Sequence, residues 1–523
     1  MKGRINIGNA AGLLIAATFT GQLLGFLRTK LVNSNFPISG PEGTDAYFAA
    51  FNLPDFFFFT LAAGALGVAF MPVLSDQLHK GNRQAAWRLS SSLMNLMAII
   101  MGVVGLIMLL FAKPLIQHVV APGLDPEQLE AAATIMRFLA FNPLLFSISG
   151  VLTSVQQTMG RFFFYAMAPL FYNMTIIVSI FAFKDNIGII GLGIGALIGG
   201  ILQLLVVMLG LWKLNFRWQP GIRLRDPEFK VVLRNLPPRS LDQGVDQVES
   251  IVETNIASGL GSGSITNYSN AFILSTAPIL LVGTAISTAA FPRLTARLSQ
   301  HRPDLFRRDF LTVLRAMIWI SMPVVVVCFF GRGYLARLIY SQGNQQIAII
   351  FGFLTMAILF RIIYAIISRW FYAQKDTVTP LIVSLIAIAL NIFLAITLAR
   401  PSAYGVAGLA LAQSIVAVFE VFILSGVMLM RDRKLFDAAF WGGLLRIISV
   451  TGFTVVAGFI MISLYPLSLA DKGFFTLGSK LLLISAVTFA VHTIISALFG
   501  LEEVRPIFSR LRKLMLKPVK LDT

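Results

Sequence analysis

"GIIGLGIGAL" at residues 188–197 and "GVAGLALAQS" at residues 405–414 open on a glycine, carry small residues and fill the rest with apolar ones. They lie 217 residues apart (405 minus 188). A second pair, "LGVAFMPVLSDQL" (66–78) and "ISTAAFPRLTARL" (286–298), aligns Pro72 with Pro292 at an offset of 220 (292 minus 72). Three further elements follow in order at a similar offset, so the chain reads as two copies of one six-helix unit. An even number of crossings keeps the orientation of each copy, which relates the halves by an axis along the membrane normal. Two six-helix lobes of this kind form a transporter architecture, with the site expected at the lobe interface near the bilayer midplane.

Working outward, the 523 residues are 57% hydrophobic and 13% charged, against about 25% charged in a soluble domain. A spanning helix needs ~20 mostly apolar residues. About 14 such windows are found near 6–32, 46–75, 87–112, 130–158, 163–184, 187–212, 238–260, 264–296, 309–331, 346–373, 379–399, 404–429, 440–465 and 476–499. The fold class is therefore an all-α polytopic membrane protein, with windows 13 and 14 outside the repeat. The segment "INIGNAAGLLIAATFTGQLLGFL" (5–27) follows basic residues but lacks a cleavage signal, and it reads as the first crossing. The lone cysteine, Cys328, sits in "MPVVVVCFFG", which leaves no disulfide or metal framework. No phosphate-binding loop or metalloprotease motif occurs, and no nucleophile–base pair stands out among four histidines and one cysteine, so an enzyme is the weakest reading.

The formal charge of +18 is concentrated in alternate loops. Lys213, Arg217, Arg223, Arg225, Lys230, Arg234 and Arg239 mark one; Arg293, Arg297, Arg302, Arg307 and Arg308 mark another. The intervening loops are nearly bare of Lys and Arg. The basic loops, and with them both termini, are expected on the cytoplasmic side. The tail "EEVRPIFSRLRKLMLKPVKLDT" (502–523) is basic and amphipathic, suited to anionic inner-leaflet lipids and not to nucleic acid. The expected organisation is an N-lobe over 1–212, a basic cytoplasmic amphipathic linker over 213–237, a C-lobe over 238–430, two extra helices over 431–500 forming a lipid-tail groove, and a cytoplasmic tail over 501–523.

Ionisable residues at membrane depth are costly and are functional candidates by default. Arg28 in "GFLRTKLV", Asp45 at the start of window 2 and Asp55 just after Pro54 are the candidates of the first half. Arg28 could instead snorkel, and Asp45 could simply favour a helix start. Arg361 is central in "AILFRIIYAII" and either faces a cavity or pairs with a neighbouring carboxylate. Glu420 is a further ionisable residue, in window 12. Asp242, Asp246, Glu249 and Glu253 in "LDQGVDQVESIVETN" (241–255) recur at i, i+4, i+7 and i+11, one helical face. Solvation at a helix N-terminus suffices for Asp242. Glu253 lies about three turns further in, and a carboxylate there needs a cation, donors or a proton. That stripe is expected to gate (Asp242, Asp246, Glu249) and to couple to an ion (Glu253). Gly191, Gly195 and Gly199 form a small-residue face whose ordinary use is close helix packing.

"GFLRTKLV" (25–32) with "TDAYFAAFNLPDFFFFTLAAGALGVAFMPVL" (44–74), "FYAQKDTVTP" (371–380) and "IASGLGSGSITNYSNAFILSTAPILLVGTAISTAAFP" (256–292) together resemble the MurJ (MviN-type) family, the lipid II flippases of bacterial cell-wall synthesis. The match runs from roughly residue 5 to 500. It implies the fold of the multidrug/oligosaccharidyl-lipid/polysaccharide exporter superfamily, a place in the bacterial cytoplasmic membrane, and alternating access that carries an undecaprenyl-pyrophosphate-linked precursor to the outer leaflet. Arg28 and Asp45 match the family's helix 1 arginine and helix 2 aspartate. Other family positions depart: its first helix 1 arginine is Gln22 here, its arginine pair falls at Phe58 and Phe59, its glutamate at Ala63 and its helix 8 arginine at Ile273. The chain therefore resembles a divergent member. The expected substrate-binding set is Arg28, Asp45, Asp55, Gln22, Asn270 and Arg361. Positions matching the sodium site of some members are Glu253, Asn391, Ala395 and Gln413, so Glu253, Asn391 and Gln413 are the expected coupling set, with the second aspartate of that motif lost. No cofactor is expected beyond a coupling cation, Na⁺ or H⁺, or the membrane potential, and the chain is expected to act as a monomer on a lipid-linked precursor. A related exporter of another polysaccharide lipid or a drug, and a non-transporting membrane scaffold, remain open readings.

Overall fold

The computed structural model describes residues 7–505 except 64–68, 213, 342 and 469; the side chains of 7–11, 61–63, 237–243 and 246 also lie outside the described residues. Among the described residues the chain is all helix and turn, with no strand. It divides into two compact units, residues 1–269 with 395–406, and residues 270–394 with 407–523.

The first unit contains α1 (Ile7–Asn35), α2 (Asp45–Phe57), a π-helical stretch (Phe58–Ala63), α3 (Met71–His79), α4 (Arg83–Leu110), α5 (Ala112–Leu115), α6 (Pro126–Leu139), α7 (Asn142–Thr158), α8 (Phe163–Phe183), α9 (Ile190–Leu209) and α10 (Pro227–Ser258). The helix α11 (Ser264–Pro278) starts here and continues into the second unit. The second unit holds another π-helical stretch (Ile279–Thr284), α12 (Ala285–Ser299), α13 (Pro303–Phe330), α14 (Arg332–Ile339), α15 (Gln345–Ala373), α16 (Val378–Leu398) up to residue 394, α17 (Ala407–Arg431), α18 (Ala438–Leu464) and α19 (Phe474–Leu498).

The two halves repeat element by element. Helices α4 and α13 are both 28 residues long, 220 residues apart (303 minus 83). Helices α8 and α16 are both 21 residues long. Each half carries a π-helical stretch after its first helix of the pair, Phe58–Ala63 in one and Ile279–Thr284 in the other. A proline precedes each closely, Pro54 in α2 and Pro278 at the end of α11. Proline withholds a donor from the i→i−4 ladder, and a wider turn is one way to absorb the break. The glycines that open the two repeated motifs share a backbone state: Gly188 has φ 66° and Gly405 has φ 55°. Only glycine enters that left-handed region without steric cost, which explains its presence at both turns.

Every expected window falls on helix over its described residues, but the count of about 14 crossings is not reproduced by length and composition alone. Eleven helical segments among the described residues are long and apolar enough to cross a membrane. The other three windows lie on α1, which carries Gln22 and Arg28, on α2 with its π break, and on α10, which carries the acidic stripe. The segment expected as a linker over 213–237 is helical from Pro227 onward, where Asp226 caps α10 by accepting from the Glu228 amide. Phe229 and Val232 are fully buried there in a core with Phe70, Leu74, Leu89 and Leu93. This burial groups α10 with the first unit by contact, although it opens the second copy of the repeat. Glycines 191, 195 and 199 of α9 lie against Phe183, Ser179 and Tyr172 of α8, so that face serves close packing.

Candidate functional site

Arg28 of α1 lies within electrostatic reach of Asp55 and Tyr47 of α2 and of Tyr172 of α8. The charges of Arg28 and Asp55 act on each other and on both phenols. Neither Arg28 nor Asp55 forms an ion pair among the described residues. The Nε of Arg28 and the hydroxyl of Tyr47 are buried without a hydrogen-bond partner. The ring of Tyr172 meets Phe146 edge-on at 5.2 Å, and Phe146 meets Phe58 at 5.5 Å. A guanidinium with an unused donor, flanked by phenols, can accept an anionic oxygen, since Arg offers several donors in a fixed fork. Phe58 thus belongs to the aromatic wall of this cluster.

Asp45 is occupied differently. Its Oδ2 accepts from the Gly263 amide at 2.6 Å, and its Oδ1 from the Thr266 amide and the Thr266 hydroxyl, both at 2.7 Å. The carboxylate is 1% exposed. It therefore caps the N-terminus of α11, where orphan amides and the helix dipole favour an anion. Neighbouring bonds reinforce this cap: the hydroxyls of Thr44 and Thr266 lie 2.9 Å apart, and Gln128 donates to the Gly40 carbonyl at 2.7 Å and to the Ser262 hydroxyl at 3.2 Å.

On α10, Glu249 and Glu253 are both buried. The same helix docks on α2 through Asn52, whose Oδ1 accepts from the hydroxyls of Ser250 at 3.2 Å and Thr254 at 3.4 Å. The side chains of Asp242 and Asp246 lie outside the described residues. Gln22 is exposed on α1 and is not part of the Arg28 cluster.

The second unit carries its own buried charge group. Arg361 of α15 donates from Nη1 to Glu420 Oε2 and from Nη2 to Gln413 Oε1, each at 3.2 Å. Glu420 Oε1 accepts from the Ser384 hydroxyl at 3.1 Å, and Ser384 lies 3.1 Å from the Tyr364 hydroxyl. The side chain of Glu420 is 3% exposed and that of Arg361 is 30% exposed. Arg361 therefore pairs with a carboxylate, one of the two uses its sequence position allowed, and takes up Gln413. Asn391 and Asn270 are fully buried. An apolar cavity of about 580 Å³ lies between α13, α15, α17 and α18, lined by Met322, Val326, Phe353, Met356, Leu411 and Val455 among others.

Sequence reasoning missed Tyr47, Tyr172, Ser384 and Tyr364. Tyr47 had a signal: it precedes Asp55 by eight residues, about two turns along one helix face. Tyr172 and Ser384 come from other helices and had none.

The family model described as "Lipid II flippase MurJ" matches residues 42–480. A protein of Borreliella burgdorferi named "Probable lipid II flippase MurJ" is 25% identical over 429 residues, covering 81% of this chain and 83% of its own. A protein of the same name from Rhizobium tropici is 24% identical over 519 residues, 95% of each chain. Among solved structures, "Lipid II flippase MurJ, inward closed conformation" superposes with a TM-score of 0.76 at 24% identity, covering 93% of this chain and 98% of that one. An inward-facing MATE-family multidrug transporter of the MOP superfamily follows the same fold with a TM-score of 0.65 at 16% identity, covering 81% of this chain and 99% of that one.

Proposed function

Because the chain belongs to the MurJ lipid II flippase family, we propose that it moves lipid II, the undecaprenyl-pyrophosphate-linked peptidoglycan precursor, from the inner to the outer leaflet by alternating access. The observation that carries the reading at the level of residues is Arg28: a cation at membrane depth with a buried, unused Nε, next to the unpartnered hydroxyl of Tyr47. A pyrophosphate brings about two negative charges and seeks such donors. The phenols of Tyr47 and Tyr172 supply donors in a chain whose family arginines are replaced at Gln22, Phe58, Phe59 and Ile273. Arg361 is the second cation, held by Glu420 until an anionic group competes for it. The apolar cavity bounded partly by α18 suits the long isoprenoid tail.

In this reading both termini and the basic loops face the cytoplasm, the protein works as a monomer in the bacterial cytoplasmic membrane, and the Asp45 cap closes one end of the pathway. Asp242, Asp246 and Glu249 gate the other end. Glu253, Asn391 and Gln413 are the coupling candidates, and the engagement of Gln413 by Arg361 supports coupling to a proton or to the membrane potential in preference to sodium. The reading is tested in cells depleted of their own flippase. Expression of this chain is expected to restore growth and lipid-linked precursor at the outer leaflet; a correctly inserted chain that restores neither refutes it.

A further inference from the structure

At one end of the second unit, a cavity of about 520 Å³ opens between the first turns of α13, the first turn of α18 and the segment after α19, at Glu502 and Glu503. Three helix ends meet at this level, and Phe436, Phe440 and Trp441 form an aromatic cluster beside it, with Phe436 and Phe440 centroids 4.9 Å apart. Aromatic clusters at helix ends mark the membrane–water interface. Trp441, Leu445 and Ile448 continue along α18 as exposed apolar side chains, a surface for acyl chains.

Among the described residues the lining carries three arginines (Arg307, Arg308, Arg315) and four carboxylates (Asp304, Asp437, Glu502, Glu503), a net charge of −1. Several are already engaged. Arg307 binds Asp432 through two bonds of 2.7 and 2.9 Å, Asp304 pairs with Arg302, and Asp437 caps α18 through the Phe440 amide. Arg308 and Glu502 form no ion pair among the described residues. Arg315 and Glu503 are only half satisfied: Arg315 Nη2 meets Glu503 Oε1 at 2.7 Å, whereas Arg315 Nε and Glu503 Oε2 are buried without partners. The Glu503 side chain is 6% exposed. Gly443 makes room for this guanidinium, since a Cβ there would lie 2.5 Å from its Cζ. A buried charged group with an unmet bond is costly unless something else supplies it.

An anionic headgroup does not fit a lining whose net charge is already negative. A group carrying both signs does. We propose that this cavity seats the headgroup of a zwitterionic phospholipid with a primary ammonium, its phosphate toward Arg308 and Arg315 and its ammonium toward the carboxylates of Glu502 and Glu503. A primary ammonium brings N–H donors for Glu503 Oε2, which a quaternary ammonium lacks.

The test uses the full chain, delipidated in detergent and incubated with phosphatidylethanolamine, phosphatidylcholine or phosphatidylglycerol of matched acyl chains, with retained lipid counted by native mass spectrometry. Phosphatidylethanolamine is expected to be retained about tenfold over the other two, the scale of one charge-assisted bond. Arg308→Ala, which removes an exposed side chain and leaves the fold intact, and Gly443→Ala, which displaces Arg315, are expected to abolish that preference. Excess soluble glycerophosphoethanolamine is expected to displace the lipid. Equal retention of the three lipids, a preference unchanged in Arg308→Ala, or retention indifferent to the soluble headgroup overturns the proposal.

Discussion

Replacing Asp45 with alanine removes the acceptor of three hydrogen bonds of 2.6–2.7 Å at a carboxylate that is 1% exposed. The Gly263 and Thr266 amides then lose their partner at the start of α11. Loss of a helix cap costs about 0.5–2 kcal/mol, and each buried donor left unmet costs about 1–3 kcal/mol. Partial overlap between these two contributions brings the local loss to roughly 3–4 kcal/mol. That is about a 140- to 720-fold rise in the opening equilibrium of the α11 N-terminus, at about 1.4 kcal/mol per tenfold. Asp45→Asn keeps one carbonyl oxygen and is expected to lose about half as much. Amide exchange read by mass spectrometry on a peptide spanning 259–269 measures this directly, with a peptide from α4 as the control. Protection at Gly263 and Thr266 that is unchanged in Asp45→Ala would refute the capping role and return Asp45 to a substrate-facing one.

Glu420→Gln leaves Arg361 without its carboxylate, and breaking a buried pair costs about 3–5 kcal/mol; the 30% exposure of the arginine places the expected loss at the lower end. A lower thermal midpoint in Glu420→Gln, recovered in the Arg361→Met/Glu420→Leu double variant, is the expected pattern, and an unchanged midpoint in the single variant contradicts it. Gly195→Leu drives a side chain into Ser179 and is expected to abolish folded protein, whereas Gly426→Leu, with open space around it, is tolerated in the same expression assay. In the α15–α16 turn, desolvation pushes the Asp376 carboxyl up, but hydrogen bonds from the Thr379 hydroxyl and amide and the charge of Arg431 outweigh it and bring the pKa to about 2. The folded value lies below the ordinary one near 3.9, so this contribution is present above pH ~4 and is lost as pH falls through about 2. A spin label at Lys375 is expected to hold its mobility from pH 7 down to about 4; a transition centred near pH 5 would contradict the stabilised carboxylate.

The fold was legible because the bilayer imposes one rule on every segment: apolar length. Each window landed on a helix, and the glycines of "GIIGLGIGAL" and "GVAGLALAQS" proved to share one left-handed turn. The π stretches were not legible. Proline marks a break in a helix, yet which turn absorbs it depends on neighbouring helices. The start of α10 was also missed, since Phe229 and Val232 read as parts of a basic loop until α4 and the segment around Phe70 cover them. At the site, Arg28 and Asp55 were visible as charges in apolar sequence. Their phenolic neighbour Tyr172 comes from a helix over 100 residues away in the chain. Asp45 was identified as a residue with a job, but its partners at 263 and 266 lie 218 and 221 residues further on, beyond any local pattern. Arg361 and Glu420 are 59 residues apart and became a pair only when α15 met α17.

The role of Arg28 is the point on which the account depends most directly. In flippase-depleted cells carrying Arg28→Ala, the chain should insert at the wild-type level while lipid-linked precursor fails to reach the outer leaflet, with partial recovery in Arg28→Lys. Wild-type precursor exposure by the Arg28→Ala chain would contradict the account and remove this cation from the transport path.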